Sequence, residues 1–338
     1  MDIYSKVKQV PHAAKMMDDE YYIWCTSVVE GHDGKYHMLY SRWPKSLGHY
    51  AWVTDSEVAY AVADHALGPY EFQSVALLRR GASYWDGVCT HNPTITRIGD
   101  LYYLYYTGTT GKAKVRQPAS MSDPEWWEYR NNQRIGVAVA EHPAGPWQRF
   151  DRPAIDISDE STAFDSLAVT NPSATTRPDG GVLVIYKGIT RCDRLQGGQV
   201  LYGAAIADKP EGPYVKQEGH VFEHAGTGDH WMVAEDPFIW HDLDRYYALT
   251  RDVVGIFTGE NGGIALFESY DGLNWQAAAQ PKALGNEFQW EDGTFSGTKL
   301  ERPQLLIKDG VPQVLFGAVD VNMPDRRSHS FSVFIPLV

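Results

Sequence analysis

Apolar residues along this chain fall in short runs bounded by Gly, Pro or Asp, and three kinds of run recur in a fixed order. The first opens with a polar motif ending in proline: His91-Asn92-Pro93, Thr170-Asn171-Pro172, Glu235-Asp236-Pro237 and Glu301-Arg302-Pro303. The second follows a Gly or Asp turn and is rich in β-formers, at 34–40, 100–106, 181–186, 244–249 and 310–316. The third is built of small residues, at 58–63, 135–140, 202–207 and 264–269. Each of these runs into a glycine turn carrying an aromatic: Gly68-Pro69-Tyr70, Gly145-Pro146-Trp147, Gly212-Pro213-Tyr214 and Gly272-Leu273-Asn274-Trp275. The turn reverses the chain and the aromatic starts a fourth, outer strand.

The motif prolines lie 79, 65 and 66 residues apart, too wide for a helical solenoid and suited to a sheet module of several strands. Five four-stranded modules predict an all-β chain folded as a five-bladed β-propeller. The 338 residues then form a single domain, with blades over 20–75, 84–152, 164–218, 229–280 and 295–338. The end modules are irregular, as expected where a ring closes on itself. Module one has Cys25-Thr26-Ser27 in place of the proline motif, and no Gly-Pro turn follows Phe331-Ser332-Val333-Phe334-Ile335. Residues 112–134 are an insertion in module two, with a short helix expected around Glu125-Trp126-Trp127-Glu128-Tyr129. Its tryptophans either meet a ligand at one mouth of the propeller or anchor the loop to the body.

Composition narrows the function. Eleven Trp and twenty Tyr serve cross-strand packing and, in carbohydrate sites, stacking on sugar rings. A net charge of −13 without a basic footprint excludes a nucleic-acid partner. No segment approaches the ~18 continuous apolar residues of a membrane helix, so no membrane partner is expected. The start Met1-Asp2-Ile3-Tyr4-Ser5-Lys6 lacks the apolar run of a signal peptide, so the chain is either cytoplasmic or written without its export signal. Cys25, Cys89 and Cys192 form no CxxC pair, and no Cys/His cluster stands out among the twelve histidines, so no thiolate or transition-metal site is indicated. No cofactor is required, and the central channel leaves room for a calcium or hydrated metal.

In a propeller the inner strands converge on the axis, and their motifs meet at one mouth. That gathers His91, Asn92, Asn171, Glu235, Asp236, Glu301 and Arg302. A second layer recurs six residues before the motif: Trp85-Asp86 before Asn92, Phe164-Asp165 before Asn171, and His230-Trp231 before Asp236. Asp86, Asp165, Trp85 and His230 join the candidates on that ground. Carboxylates facing each other across a sugar-sized gap are what glycoside cleavage needs, one as acid and one as base or nucleophile. Residues from non-adjacent blades leave the wider gap, hence inversion.

With these motifs the chain resembles the five-bladed propeller glycoside hydrolases of families 43 and 117. The resemblance rests on Trp85-Asp86-Gly87 with His91-Asn92-Pro93-Thr94, on Asn131-Asn132-Gln133-Arg134-Ile135-Gly136, on Ala234-Glu235-Asp236-Pro237-Phe238 and on Leu300-Glu301-Arg302-Pro303. It is closest to family 117. It implies an exo-acting hydrolase releasing a sugar from plant or algal oligosaccharides. Family 43 places its base on the first blade, where this chain has no acid. The resemblance therefore makes Asp86 the base and Asp236 the second carboxylate, which holds substrate and tunes the acid. Glu235 is taken as the acid, ahead of Glu301 and His91. His91, Asn92, Asp165, Asn171, His230, Glu301, Arg302 and Trp85 are expected to bind the oligosaccharide substrate. Two alternatives stand beside this reading: a phosphorylase drawing on Arg302, Arg191 and Arg194, and a sugar-binding propeller without activity.

Overall fold

Five antiparallel four-stranded sheets surround a common axis in the computed structural model, which describes residues 1–222, 230–297, 299–321 and 329–338. Each blade runs from an inner strand outward. Blade 1 is Tyr21–Glu30, Tyr36–Pro44, Glu57–Ala63 and Glu71–Val75; blade 2 is Cys89–Ile98, Leu101–Thr109, Arg134–Ala140 and Gln148–Arg149. Blade 3 is Ala168–Thr176, Val182–Ile189, Val200–Ala207 and Val215–Lys216; blade 4 is Ala234–Asp242, Arg245–Asp252, Ile264–Ser269 and Gln276–Leu284. Blade 5 takes Leu300–Lys308, Val311–Val321 and His329–Pro336 from the end of the chain. Its outer strand, Lys15–Met16, comes from the beginning. That pairing closes the ring and explains why no Gly-Pro turn follows residue 335. The boundary expected at 229 lies outside the described residues.

Each blade is packed on both faces by its neighbours, so its middle strands read as continuous apolar runs. Val182–Ile189 is buried at every position. The small residues of the third strands have a more specific use. Gly136, with Gly108 on the strand beside it, makes room for the Trp85 ring; a Cβ on either would meet it at 2.5 Å. Gly188 and Gly203 do the same for Phe164, at 2.4 Å.

The proline motifs sit inside the inner strands, a few residues in from their starts. In every blade the ladder shifts there: at Trp24/Ser27, His91/Thr94, Thr170/Ser173, Glu235/Phe238 and Glu301/Gln304. Two residues are left out of register, which gives proline a place where its missing N–H breaks no bond. The first of the two takes a positive φ in all five blades: Cys25 (47°), Asn92 (50°), Asn171 (52°), Asp236 (56°) and Arg302 (55°). Blade 1 therefore keeps the bulge without the proline.

Candidate active site

The bulge turns these five side chains toward one another across the axis. Asn92 Nδ2 donates to Asn171 Oδ1 (2.7 Å), and Asn171 Nδ2 donates to Asp236 Oδ1 (2.5 Å). Arg302 donates from Nη1 to the same Asp236 oxygen (3.1 Å) and from Nε to Cys25 Sγ (3.1 Å). Burial pushes the Cys25 thiol pKa up against the pull of Arg302, so the thiol keeps its proton and donates to Pro93 O (3.5 Å). The result is a ring of five residues, one from each blade, hydrogen-bonded in series and closed through the Pro93 carbonyl beside Asn92, with Arg302 only 1% exposed.

The residues just before the bulge, Trp24, His91, Thr170, Glu235 and Glu301, line a cavity of about 930 Å³ above this ring. Six of the eleven tryptophans line it: Trp24, Trp43, Trp52, Trp126, Trp127 and Trp231. His91 stacks on Trp52 (5.2 Å between centroids) and pairs with Ser56 Oγ through Nδ1 (2.7 Å). Burial first, then the charge of Arg302, holds its pKa well below the usual histidine value, so it is neutral at pH 7.

Three cations meet two carboxylates on the wall of blades 3 to 5. Glu235 accepts from Lys187 Nζ (2.8 Å) and from Arg251 Nη1 (2.9 Å). Glu301 pairs with Lys299 Nζ (2.7 Å), and the same Arg251 Nη1 lies 3.5 Å away. The two acids diverge. Burial resists ionisation of Glu235, but Lys187 and Arg251 outweigh it and hold its carboxyl well below the usual range. Burial and then the negative charge of Glu235 push the Glu301 carboxyl up. Environments that drive two neighbouring carboxyls apart create one proton carrier and one anion.

Of the residues expected from sequence, the structure brings His91, Asn92, Asn171, Glu235, Asp236, Glu301 and Arg302 to this cavity. It does not bring Asp86 there. That carboxylate is 0% exposed and bound inside blade 2 by Arg80 (2.5 Å), Tyr106 Oη (2.6 Å) and Arg149 (3.3 Å). A base must reach a water in the cavity, and Asp86 is walled off from it. Asp165 repeats the arrangement in blade 3, held by Tyr186 Oη (2.9 Å) and Lys216 (2.6 Å). Trp85 lies on Tyr106 as part of the same lock, its Nε1 donating to Phe150 O (3.2 Å). His230 is exposed outside the cavity, and its neighbour Trp231 takes the place at the wall. Arg191 and Arg194, expected to hold phosphate, lie off the lining, whereas Lys187, Arg251 and Lys299 escaped sequence reasoning. Lys187 and Arg251 face Thr170 and Glu235 across the ladder, so a charged residue ending an apolar second strand was the available signal.

The insertion crosses the mouth. Asp123 caps its helix, Pro124–Asn131, with Pro in the first turn as helix starts favour. Pro118, Ala119, Ser120, Met121, Trp126, Trp127 and Arg130 contribute to the lining. Trp126 is buried and donates to Tyr50 O (2.7 Å), which makes it an anchor; Trp127 is half-buried and presents a face to the cavity. Trp126→Ala should destabilise the protein by about 3–5 kcal/mol in denaturant titration. Trp127→Ala should leave the unfolding midpoint nearly unchanged and weaken sugar binding several-fold by calorimetry.

The axis does not fit a calcium ion. Calcium takes six to eight oxygen ligands. The ring offers a guanidinium, a thiol, an Asn171 amide oxygen taken up by Asn92, a carboxylate neutralised by Arg302 and a single unpaired amide oxygen, Asn92 Oδ1, far short of that number. Elsewhere, Asp33, His37 and His142 bring metal-type atoms within 4.8 Å of one another. His142 Nδ1 accepts from Ala144 N (3.1 Å), which leaves the proton on Nε2, the nitrogen facing Asp33, and makes it a poor ligand.

No family model and no curated protein matches the sequence, whereas solved structures match over nearly its whole length. A family 117 glycoside hydrolase of the marine bacterium Zobellia galactanivorans is 16% identical, with a TM-score of 0.65 over 98% of this chain and 90% of that one. An endo-arabinase of Bacteroides thetaiotaomicron is 11% identical, with a TM-score of 0.57 over 97% and 96%. A family 43 β-xylosidase/α-arabinofuranosidase from a compost metagenome, solved with xylotriose, is 13% identical, with a TM-score of 0.56 over 95% and 94%. The chain is thus a five-bladed β-propeller whose structural neighbours are glycoside hydrolases of families 43, 117 and their relatives. At these identities what is shared is the fold.

Proposed function

We propose that this chain is an exo-acting glycoside hydrolase that takes the end of an oligosaccharide into the axial cavity. One observation carries the reading: two carboxyls with opposed pKa shifts lie side by side in an aromatic-walled cavity floored by the five-residue ring. Glu301 holds a proton and donates it to the departing glycosidic oxygen. Glu235 stays ionised and activates water or attacks the anomeric carbon. Lys187 and Arg251 keep it so, and Asp236 stiffens the floor beside it. Glu235 therefore exchanges the acid's part for the anion's, and Asp86 has no part in the chemistry. Inversion was expected for carboxylates on non-adjacent blades; Glu235 and Glu301 stand on adjacent blades, which removes that basis. The closed floor and the insertion across the mouth favour entry by a chain end.

Incubation with plant and algal oligosaccharides, followed by NMR, tests the reading and reports the anomeric outcome. Stepwise release of a free sugar is expected. Sugar binding without any product would make this a binding propeller, and product formed as a sugar phosphate only with added phosphate would make it a phosphorylase.

A further inference from the structure

The cavity is electrically unlike the rest of the chain. Five cations line it, Arg130, Lys187, Arg251, Lys299 and Arg302, against four carboxylates, Glu235, Asp236, Glu301 and Asp320. The lining thus carries an excess positive charge in a chain of net charge −13. One cation of the lining stands outside the ion pairs. Lys187 and Arg251 pair with Glu235, Lys299 with Glu301, and Arg302 with Asp236. Arg130 has no carboxylate partner among the described residues. Its Nη1 donates to Asn131 Oδ1 (3.2 Å), and its guanidinium lies 5.8 Å from the Trp127 ring.

Yet Arg130 is only 8% exposed, and burial alone lowers its pKa to about 10. A guanidinium taken out of water without an anion is costly, and such a charge in a ligand cavity points to an anion that arrives with the ligand. The helix terminus gives a smaller reason for a cation here. Arg130 lies in the last turn of Pro124–Asn131, where the helix dipole modestly favours an exposed positive charge. That effect asks for a solvated charge and gives no cause for its burial beside the cavity.

Resting on the carbohydrate reading above, we propose that Arg130 is an anion-recognition residue and that the oligosaccharide bound here carries a negatively charged substituent, a uronate carboxylate or a sulfate ester. The planar fork of arginine suits either group, donating two parallel hydrogen bonds to its oxygens. Trp127, stacked near the guanidinium, would hold the sugar ring that bears the charge.

The test uses matched probes: oligogalacturonides against their carboxyl-reduced forms, and sulfated galactan oligosaccharides against their desulfated forms. Wild type should prefer the charged member of one pair by tenfold or more in kcat/KM, and the pair that shows the preference identifies carboxylate or sulfate. Arg130→Met should bring that ratio close to one, and Arg130→Lys should restore only part of it. A ratio within one preparation is insensitive to loss of folded protein. Equal use of charged and neutral members by wild type, or an unchanged ratio in Arg130→Met, overturns the proposal. Turnover of neutral members alone does so while leaving the hydrolase reading intact, and failure to take either member of both pairs overturns the two together.

Discussion

Glu301→Gln is expected to lower kcat on an oligosaccharide by about 10²–10⁴-fold with little change in KM, the usual contribution of a positioned acid. The amide keeps the shape and a hydrogen bond to Lys299 but has no proton to give. The loss should shrink on an aryl glycoside with a good leaving group, which needs little protonation; equal losses on both substrates would sink the acid role. The pH profile supplies a second check. Glu301 acts while protonated, and its pKa is raised, so activity is present below that value and is lost as pH rises through it. Glu235 acts while ionised, and its pKa is depressed, so activity falls only as pH drops through that low value. The bell is therefore broad, and Glu301→Gln should erase its alkaline limb in the residual rate.

This pair was half legible in the sequence. The proline motif placed Glu235 and Glu301 at the axis because bulge geometry is common to all blades. Even blade 1 follows it, with Cys25 at the same positive φ and no proline to announce it. The roles were not legible, because they depend on Lys187, Arg251 and Lys299, which reach the carboxylates from other strands or from outside the motif. The second layer misled for an instructive reason. Asp86 and Asp165 stood out because they recur at one offset in two blades. Recurrence marks what blades share, which is their internal packing. A catalytic group is not needed in every blade, and the informative position is the one just before the bulge, where Trp24, His91 and Thr170 in three blades give way to Glu235 and Glu301 in the other two.

The same argument makes a strong prediction for Asp86. Asp86→Ala removes a fully buried anion and leaves Arg80 and Arg149, with side chains 16% and 10% exposed, without the carboxylate they converge on. Breaking such a pair from one side is worth about 3–5 kcal/mol. The Tyr106 hydroxyl, buried behind them, loses its acceptor as well. Asp165→Ala should cost less, because its partner Lys216 is 29% exposed and can turn to water. Denaturant titration would order the two variants. Turnover per folded molecule of Asp86→Asn, which keeps the side chain's shape, should stay within a few-fold of wild type. A loss of several orders of magnitude in Asp86→Asn at unchanged stability would return the water-activating role to Asp86 and require an opening from blade 2 into the cavity.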